Sequence, residues 1–374
     1  MERSDFYLSL DKKKNDFISL GTDKVIVERG NNLLGYYSTS LNNLQLEIEK
    51  NFLGKKAQTE TLAAIYSNLN LDSRSQRVLD CGTFLEFKVS QDKAKLQHAN
   101  FCKDRLCPMC NWRRSLKIFA QVSKVMNCMN DYDFLFLTLT VKNCVAADLP
   151  KTVQALYDGW RYLYNKNKEF KTVISGTFRS LEVTRNKKDG TFHPHLHCIL
   201  AVKPSYFKKG YISQKRWSEL WAHACDLDYN PIVHIQKVKD SGKGISGAVA
   251  EVSKYSVKGS DFLYPEDIDN SCKFVQAFLN SLSGRRLCGW TGIFSRIRKQ
   301  LQLDDIENGD LVHTDDTIRT WSISFLNIFT YYYNSETVKV KKKCKIKGAG
   351  IAGTLKNVSL IKTRFPRISN NHTS

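Results

Sequence analysis

Val173–Val202, VISGTFRSLEVTRNKKDGTFHPHLHCILAV, contains two strand-like runs, Val173–Arg185 and Thr191–Val202, joined by the turn-rich Asn186-Lys-Lys-Asp-Gly190. On the second strand His195 and His197 are separated by one residue, so they share a face while Leu196 points into the core. The turn decides what stands opposite. A loop centred on Lys188 and Asp189 sets Glu182 against His195, and one centred on Asp189 and Gly190 sets it against His197. Only an odd-length loop would move the carboxylate to the other face. Two imidazoles and one carboxylate with open positions form a ligand set for a catalytic divalent cation such as Mn or Mg.

Outward from this hairpin, Asp133–Val141 (DFLFLTLTV) alternates as a strand, and a helix follows from about Thr152 with Val153, Leu156, Tyr157, Trp160, Leu163 and Tyr164 on one stripe. Gln214–Cys225 is a second expected helix and Ile232–Val238 a fourth strand. The order β-α-β-β-α-β is the split βαβ of an α+β, ferredoxin-like (RRM-like) domain with an antiparallel central sheet, here with helical flanking regions. A third helix is expected over Ser246–Lys258. It would bring Glu251, Tyr255 and Lys258 to i, i+4 and i+7 on one face. Tyr255 is the candidate nucleophile there. Lys258 could stabilise a phenolate or a phosphate oxygen, and Glu251 could accept a proton, or form an ion pair with Lys254 or Lys258.

Eleven cysteines, an odd number, follow an N-terminus (MERSDFYLSLDKKKND) with no apolar signal core. A reduced, cytoplasmic setting is therefore expected rather than a disulfide framework. No stretch of about 18 uninterrupted apolar residues is present, so no membrane-spanning helix is expected. Cys102, Cys107 and Cys110 in FCKDRLCPMCNWRR have the spacing of a zinc knuckle. The fourth ligand is Cys81 or His98, with Cys81 favoured because all-thiolate structural sites are common. Arg105, Arg113, Arg114 and Lys117 surround the knuckle and are expected to face a nucleic-acid backbone.

Over 374 residues, 57 Lys+Arg against 37 Asp+Glu leave a formal charge of +20, which calls for a polyanionic partner, nucleic acid first among them. Ten of those positives follow Glu336 with no acidic residue among them, as expected of a mobile basic tail. Leu303–Asp316, with six acidic residues and no Lys or Arg, reads as a surface boundary. No GxxxxGK[ST] segment occurs, so no nucleotide-driven helicase is built in.

FCKDRLCPMCNWRRSLK, FLTLTV, HPHLHCIL and EVSKYSVK occur in that order, and together they resemble the rolling-circle plasmid replication initiators of the HUH endonuclease superfamily. The likeness is to the branch with a cysteine-rich segment before the nicking domain. GRRLCGWTGIF through LDDIENGDLV is similar to that branch too. The resemblance implies a bacterial cytoplasmic enzyme that nicks one strand of plasmid origin DNA. His195, His197 and Glu182 would hold the metal, and Tyr255 would form a 5′-phosphotyrosyl link and free a 3′-OH. A host helicase would unwind the DNA and a host polymerase would extend that end. Glu251 would activate water for the terminating cut. The implied division is 1–75, of no assigned role; 76–125, cysteine-rich; 126–290, nicking domain; 291–336, C-terminal region; and 337–374, basic tail. Oligomeric state is left open, a dimer among the options. A relaxase or single-strand transposase shares this chemistry. A non-catalytic zinc-dependent DNA-binding regulator would explain the charge and cysteines but not Glu182, His195, His197 and Tyr255.

Overall fold

A computed structural model describes residues 49–90, 93–239, 242–254, 258–314, 326–333 and 338–345. In chain order its helices are α1 (Gly54–Asn68), α2 (Asp72–Leu79), α3 (Pro108–Met126), α4 (Leu149–Asn165), α5 (Lys168–Val173), α6 (Gln214–Ala224), α7 (Gly242–Val252), α8 (Ile268–Leu282) and α9 (Gly292–Gln300). The strands are β1 (Phe84–Ser90), β2 (Lys93–Ala99), β3 (Asp133–Thr140), β4 (Ile174–Arg185), β5 (Phe192–Val202), β6 (Val233–Lys237), β7 (Cys288–Thr291), β8 (Leu326–Tyr333) and β9 (Val338–Lys345).

β3 to β6 form the expected split βαβ. The sheet order is β6-β3-β5-β4-β7, with every neighbouring pair antiparallel. The hairpin adopts the first of the two registers, Glu182 against His195. Its turn is closed by Asn186 N–H donating to the Thr191 carbonyl at 2.8 Å, and Gly190 takes φ +74°. Leu137, Leu139, Leu181 and Leu196 are buried, and they share a face by the alternation of β3, β4 and β5. On that side α4 buries Leu149, Val153, Leu156, Trp160 and Leu163, the i, i+4, i+7, i+11, i+14 stripe that 3.6 residues per turn requires. α6 starts at Ser213, whose hydroxyl accepts from Arg216 N–H at 3.2 Å. α4 and α6 cross so closely at Gly159 that a Cβ there would meet Cys225 Sγ at 2.3 Å.

On the histidine side α9 closes the sheet, with Phe294 edge-on to Phe134 at 6.2 Å. A second, four-stranded sheet runs β2-β1-β8-β9. Leu85 and Phe87 of β1 are buried. No described helix is long and apolar enough to cross a membrane.

Several expectations change. α7 ends at Val252, not Lys258, and Lys258 has extended backbone (φ −91°, ψ 138°). Glu251 and Lys258 therefore do not share a helical face. Tyr255 lies outside the described residues. The boundary expected after residue 290 falls inside β7, which pairs with β4, so the chain there is still part of the five-stranded sheet. The boundary after residue 75 falls inside α2. Val338–Lys345, expected to be tail, forms strand β9, and 346–374 lie outside the described residues.

Candidate active site

Glu182, His195 and His197 are all buried at the core of the five-stranded sheet, at 3, 7 and 8% exposure. Glu182 Oε2 lies 2.9 Å from His197 Nε2 and 3.3 Å from His195 Nε2, and the two Nε2 atoms are 3.1 Å apart. His195 Nδ1–H donates to the His193 carbonyl at 3.0 Å, which fixes the tautomer and leaves the Nε2 lone pair facing the other two ligands. His197 Nδ1 meets Thr138 Oγ1 at 3.1 Å, and its ring stacks on Phe136 at 5.6 Å. Three lone-pair donors thus converge on one point, an arrangement that needs a proton or a cation between them. These residues fit a divalent ion with open positions.

The second oxygen of Glu182 is used differently. Lys258 Nζ stands 3.2 Å from Oε1, so this lysine serves the metal-site carboxylate. Burial acts to raise the Glu182 carboxyl, but its close contacts with His195 and His197 and the Lys258 ammonium hold it well below the usual carboxylate range. Glu251 forms the ion pair with Lys254 that the sequence left open. His193 donates from Nδ1 to Asn143 Oδ1 at 2.8 Å, and burial followed by the charge of His195 lowers its pKa. Sequence reading missed Thr138, although β-alternation from His197's partner strand could have placed it on this face. It also missed Asp261, whose N–H donates to the Lys258 carbonyl at 2.9 Å. Burial raises the carboxyl of Asp261 against the opposing charge of Lys258.

The four cysteines also come together. Cys81–Cys110, Cys102–Cys110 and Cys81–Cys107 sulfurs are each 3.6 Å apart, close to the ~3.8 Å edge of a tetrahedron with metal–sulfur bonds of about 2.3 Å. Backbone N–H groups of Cys102, Lys103 and Asp104 donate to Cys81, Cys110 and Cys102 sulfurs at 3.3–3.4 Å. That pattern favours thiolates. Burial pushes the Cys107 thiol up, so the cluster needs a cation to hold its charge. His98 is instead 70% exposed on β2 beside Glu86, so Cys81 is the fourth member.

Of the four basic residues around the knuckle, three are not presented to solvent and Arg105 is half-buried. Arg113, Arg114 and Lys117 are buried, at 7, 1 and 2% exposure. Arg113 donates to the carbonyls of Leu311 (2.8 Å) and Val312 (2.6 Å), and Arg114 to those of Glu307 (3.2 Å) and Asp104 (2.9 Å). Lys117 pairs with Asp304 Oδ2 at 2.6 Å. Arg105 reaches the Leu282 and Arg285 carbonyls and Glu307. The acidic block read as an inert boundary is their partner. Two ion pairs and a set of arginine-to-carbonyl hydrogen bonds, between residues nearly two hundred positions apart, close on each other as a clasp.

A replication-protein family model matches residues 93–337. A "Protein rep" from Streptococcus pneumoniae is 40% identical over 277 residues, covering 72% of this chain and 85% of the relative. Another from Bacillus amyloliquefaciens is 37% identical over 295 residues, covering 72% and 87%. A "Replication protein" from Staphylococcus aureus is 37% identical over 209 residues, covering 54% and 87%. No solved structure matches the chain. Matched across both the cysteine cluster's α3 and the histidine hairpin, the chain belongs to the replication-protein family, as a plasmid replication initiator of the kind its motifs resemble.

Proposed function

We propose that this initiator nicks one strand of plasmid origin DNA by metal-dependent tyrosine transesterification. The observation that carries the reading is the buried convergence of Glu182 Oε2 with the Nε2 atoms of His195 and His197. A Mn or Mg ion bound there supplies Lewis-acid polarisation of the scissile phosphate. Tyr255 Oη attacks that phosphorus, the bond to the 3′ oxygen breaks, and the DNA leaves with a free 3′-OH while its 5′ phosphate stays on the tyrosine. Lys258, held on Glu182 Oε1, brings an ammonium beside this centre for the charge on the phosphate oxygens. Glu251 takes up the proton of the water that makes the terminating cut, once freed from Lys254. Because transesterification conserves the phosphodiester bond, no nucleotide is consumed. A host polymerase extends the 3′-OH and a host helicase opens the duplex ahead of it. Zinc on Cys81, Cys102, Cys107 and Cys110 is structural.

Supercoiled plasmid carrying the cognate origin, incubated with the protein and Mn2+, is expected to become open-circular, with a labelled 5′ end retained on the protein. Tyr255→Phe should bind the origin and form no adduct. An adduct on that variant assigns the nucleophile elsewhere. Glu251→Ala should make the first nick and fail at the second.

A further inference from the structure

Glu307 is buried, at 3% exposure, between the cysteine loop and the edge of the catalytic sheet. One oxygen, Oε2, accepts from Arg105 Nη2 at 3.2 Å, and Arg105 lies in the loop between Cys102 and Cys107. The other, Oε1, accepts from the backbone N–H of Leu287 at 2.8 Å and more weakly from that of Cys288 at 3.4 Å. The Leu287 carbonyl in turn accepts from Leu181 N–H at 2.9 Å. Leu181 directly precedes Glu182, and Ser180 pairs with Cys288 at the start of β7. The carboxylate of Glu307 therefore stands two hydrogen bonds and one peptide unit from the metal-site carboxylate.

β7 has only four residues and forms the edge of the sheet. The Leu287 amide that enters it needs an acceptor, and a buried N–H left without one is rarely tolerated. Glu307 supplies that acceptor from the clasp. Its backbone carbonyl is itself held by Arg114 Nε at 3.2 Å, so the acceptor is fixed at both ends. We propose that Glu307 is a positioning residue for Glu182. It pins the start of β7 against β4, so the Glu182 carboxylate meets His195 and His197 at the height a divalent cation requires, and through Arg105 it ties that height to the cysteine loop. This inference rests on reading Glu182, His195 and His197 as a metal centre.

The test compares Glu307→Ala with Glu307→Gln in the full chain. Glutamine keeps an oxygen for Leu287 and gives up the charge and the acceptor that faces Arg105. Mn2+ binding followed by electron paramagnetic resonance should weaken about 10-fold in the alanine variant and stay within about 2-fold of wild type in the glutamine variant. Hydrogen exchange should speed up at the Leu181 and Leu287 amides in the alanine variant alone. Nicking of a single-stranded origin oligonucleotide should recover at high Mn2+ with KM for DNA unchanged. Wild-type Mn2+ affinity in the alanine variant, or equal losses in both variants, overturns the proposal. If Glu307→Ala does not fold, Glu307→Asp, whose shorter side chain draws the acceptor back from the Leu287 amide, is read by the same titration, where an unchanged affinity also overturns it. Mn2+ binding is measured without cleavage. A wild-type protein that binds Mn2+ and fails to nick therefore refutes the nickase reading alone, and one that binds no Mn2+ refutes the metal centre and this inference together.

Discussion

Thr138 shows how much of the candidate metal site depends on residues outside its three potential ligands. Its hydroxyl meets His197 Nδ1 at 3.1 Å, and with Phe136 against the ring it sets the direction of Nε2. Orienting partners of this kind are each worth about 10–100-fold in metal affinity. Thr138→Val keeps the shape and removes the hydrogen bond, and should weaken Mn2+ binding by about 10-fold in a calorimetric titration with little change in melting temperature. Arg113 makes the opposite case, a charged residue whose sequence context pointed to DNA and whose contacts point inward. Arg113→Ala should lower stability in a urea titration by about 2–3 kcal/mol, the scale of charge-assisted hydrogen bonds. It should leave the salt dependence of origin binding unchanged. A phosphate contact would instead reduce that slope by about 1.

At the scale of elements, the clasp between α3 and Asp304–Thr314 makes a pH prediction. Burial acts to raise the Asp304 carboxyl, but the Lys117 ammonium and the backbone N–H groups of Asp310 and Asp305 outweigh it and hold the group below its ordinary value. A depressed carboxyl stabilises the fold above its unfolded pKa of about 3.9, and that contribution is lost as pH falls through the lower folded value. The melting-temperature gap between wild type and Asp304→Asn should thus be steady from neutral pH to about pH 5 and close below about pH 4. The gap should be small, since the Asp304 side chain is half exposed. This clasp marks where sequence reading ran out. The alternation of DFLFLTLTV and the turn at Asn186–Gly190 are local, and they were enough to put Glu182 on the histidine face, opposite His195 or His197, and to order four strands. The pairing of Arg113 with Leu311 spans 198 positions, and it leaves no local periodicity because backbone carbonyls accept the bonds. The end of α7 was missed for a different reason. The helical spacing of Glu251, Tyr255 and Lys258 suggested one continuous helix, but Ser253 and Lys254 already lie beyond its end at Val252.

Over the whole molecule, the four-thiol cluster joins more than its own loop. Lys56 of α1 donates to the Cys81 carbonyl at 3.1 Å, and Tyr66 of the same helix donates to Asp104 at 2.9 Å. Arg74 of α2 pairs with Asp104 at 3.0 Å, and Arg114 carries the connection to the clasp. Removing the bound ion with a chelator should release about one zinc per chain, lower the melting temperature, and loosen α1, α2 and the clasp together, as judged by hydrogen exchange. Retained protection in all three segments after zinc release would show that the cluster holds only its own loop. The +20 charge also changes meaning at this scale. Arg113, Arg114 and Lys117 are buried and occupied with holding the fold, so they are not among the cations exposed at the surface.

The clasp has a consequence for how the protein is made. The catalytic sheet gains its last strand from Cys288–Thr291, and the start of that strand rests on Glu307, well after the histidine hairpin has left the ribosome. The three metal-site residues are synthesised by residue 197, but the support beneath Glu182 arrives only once the chain has passed residue 307. A chain stopped between residues 258 and 307 would contain the three candidate metal ligands and lack the carboxylate that accepts from the Leu287 amide.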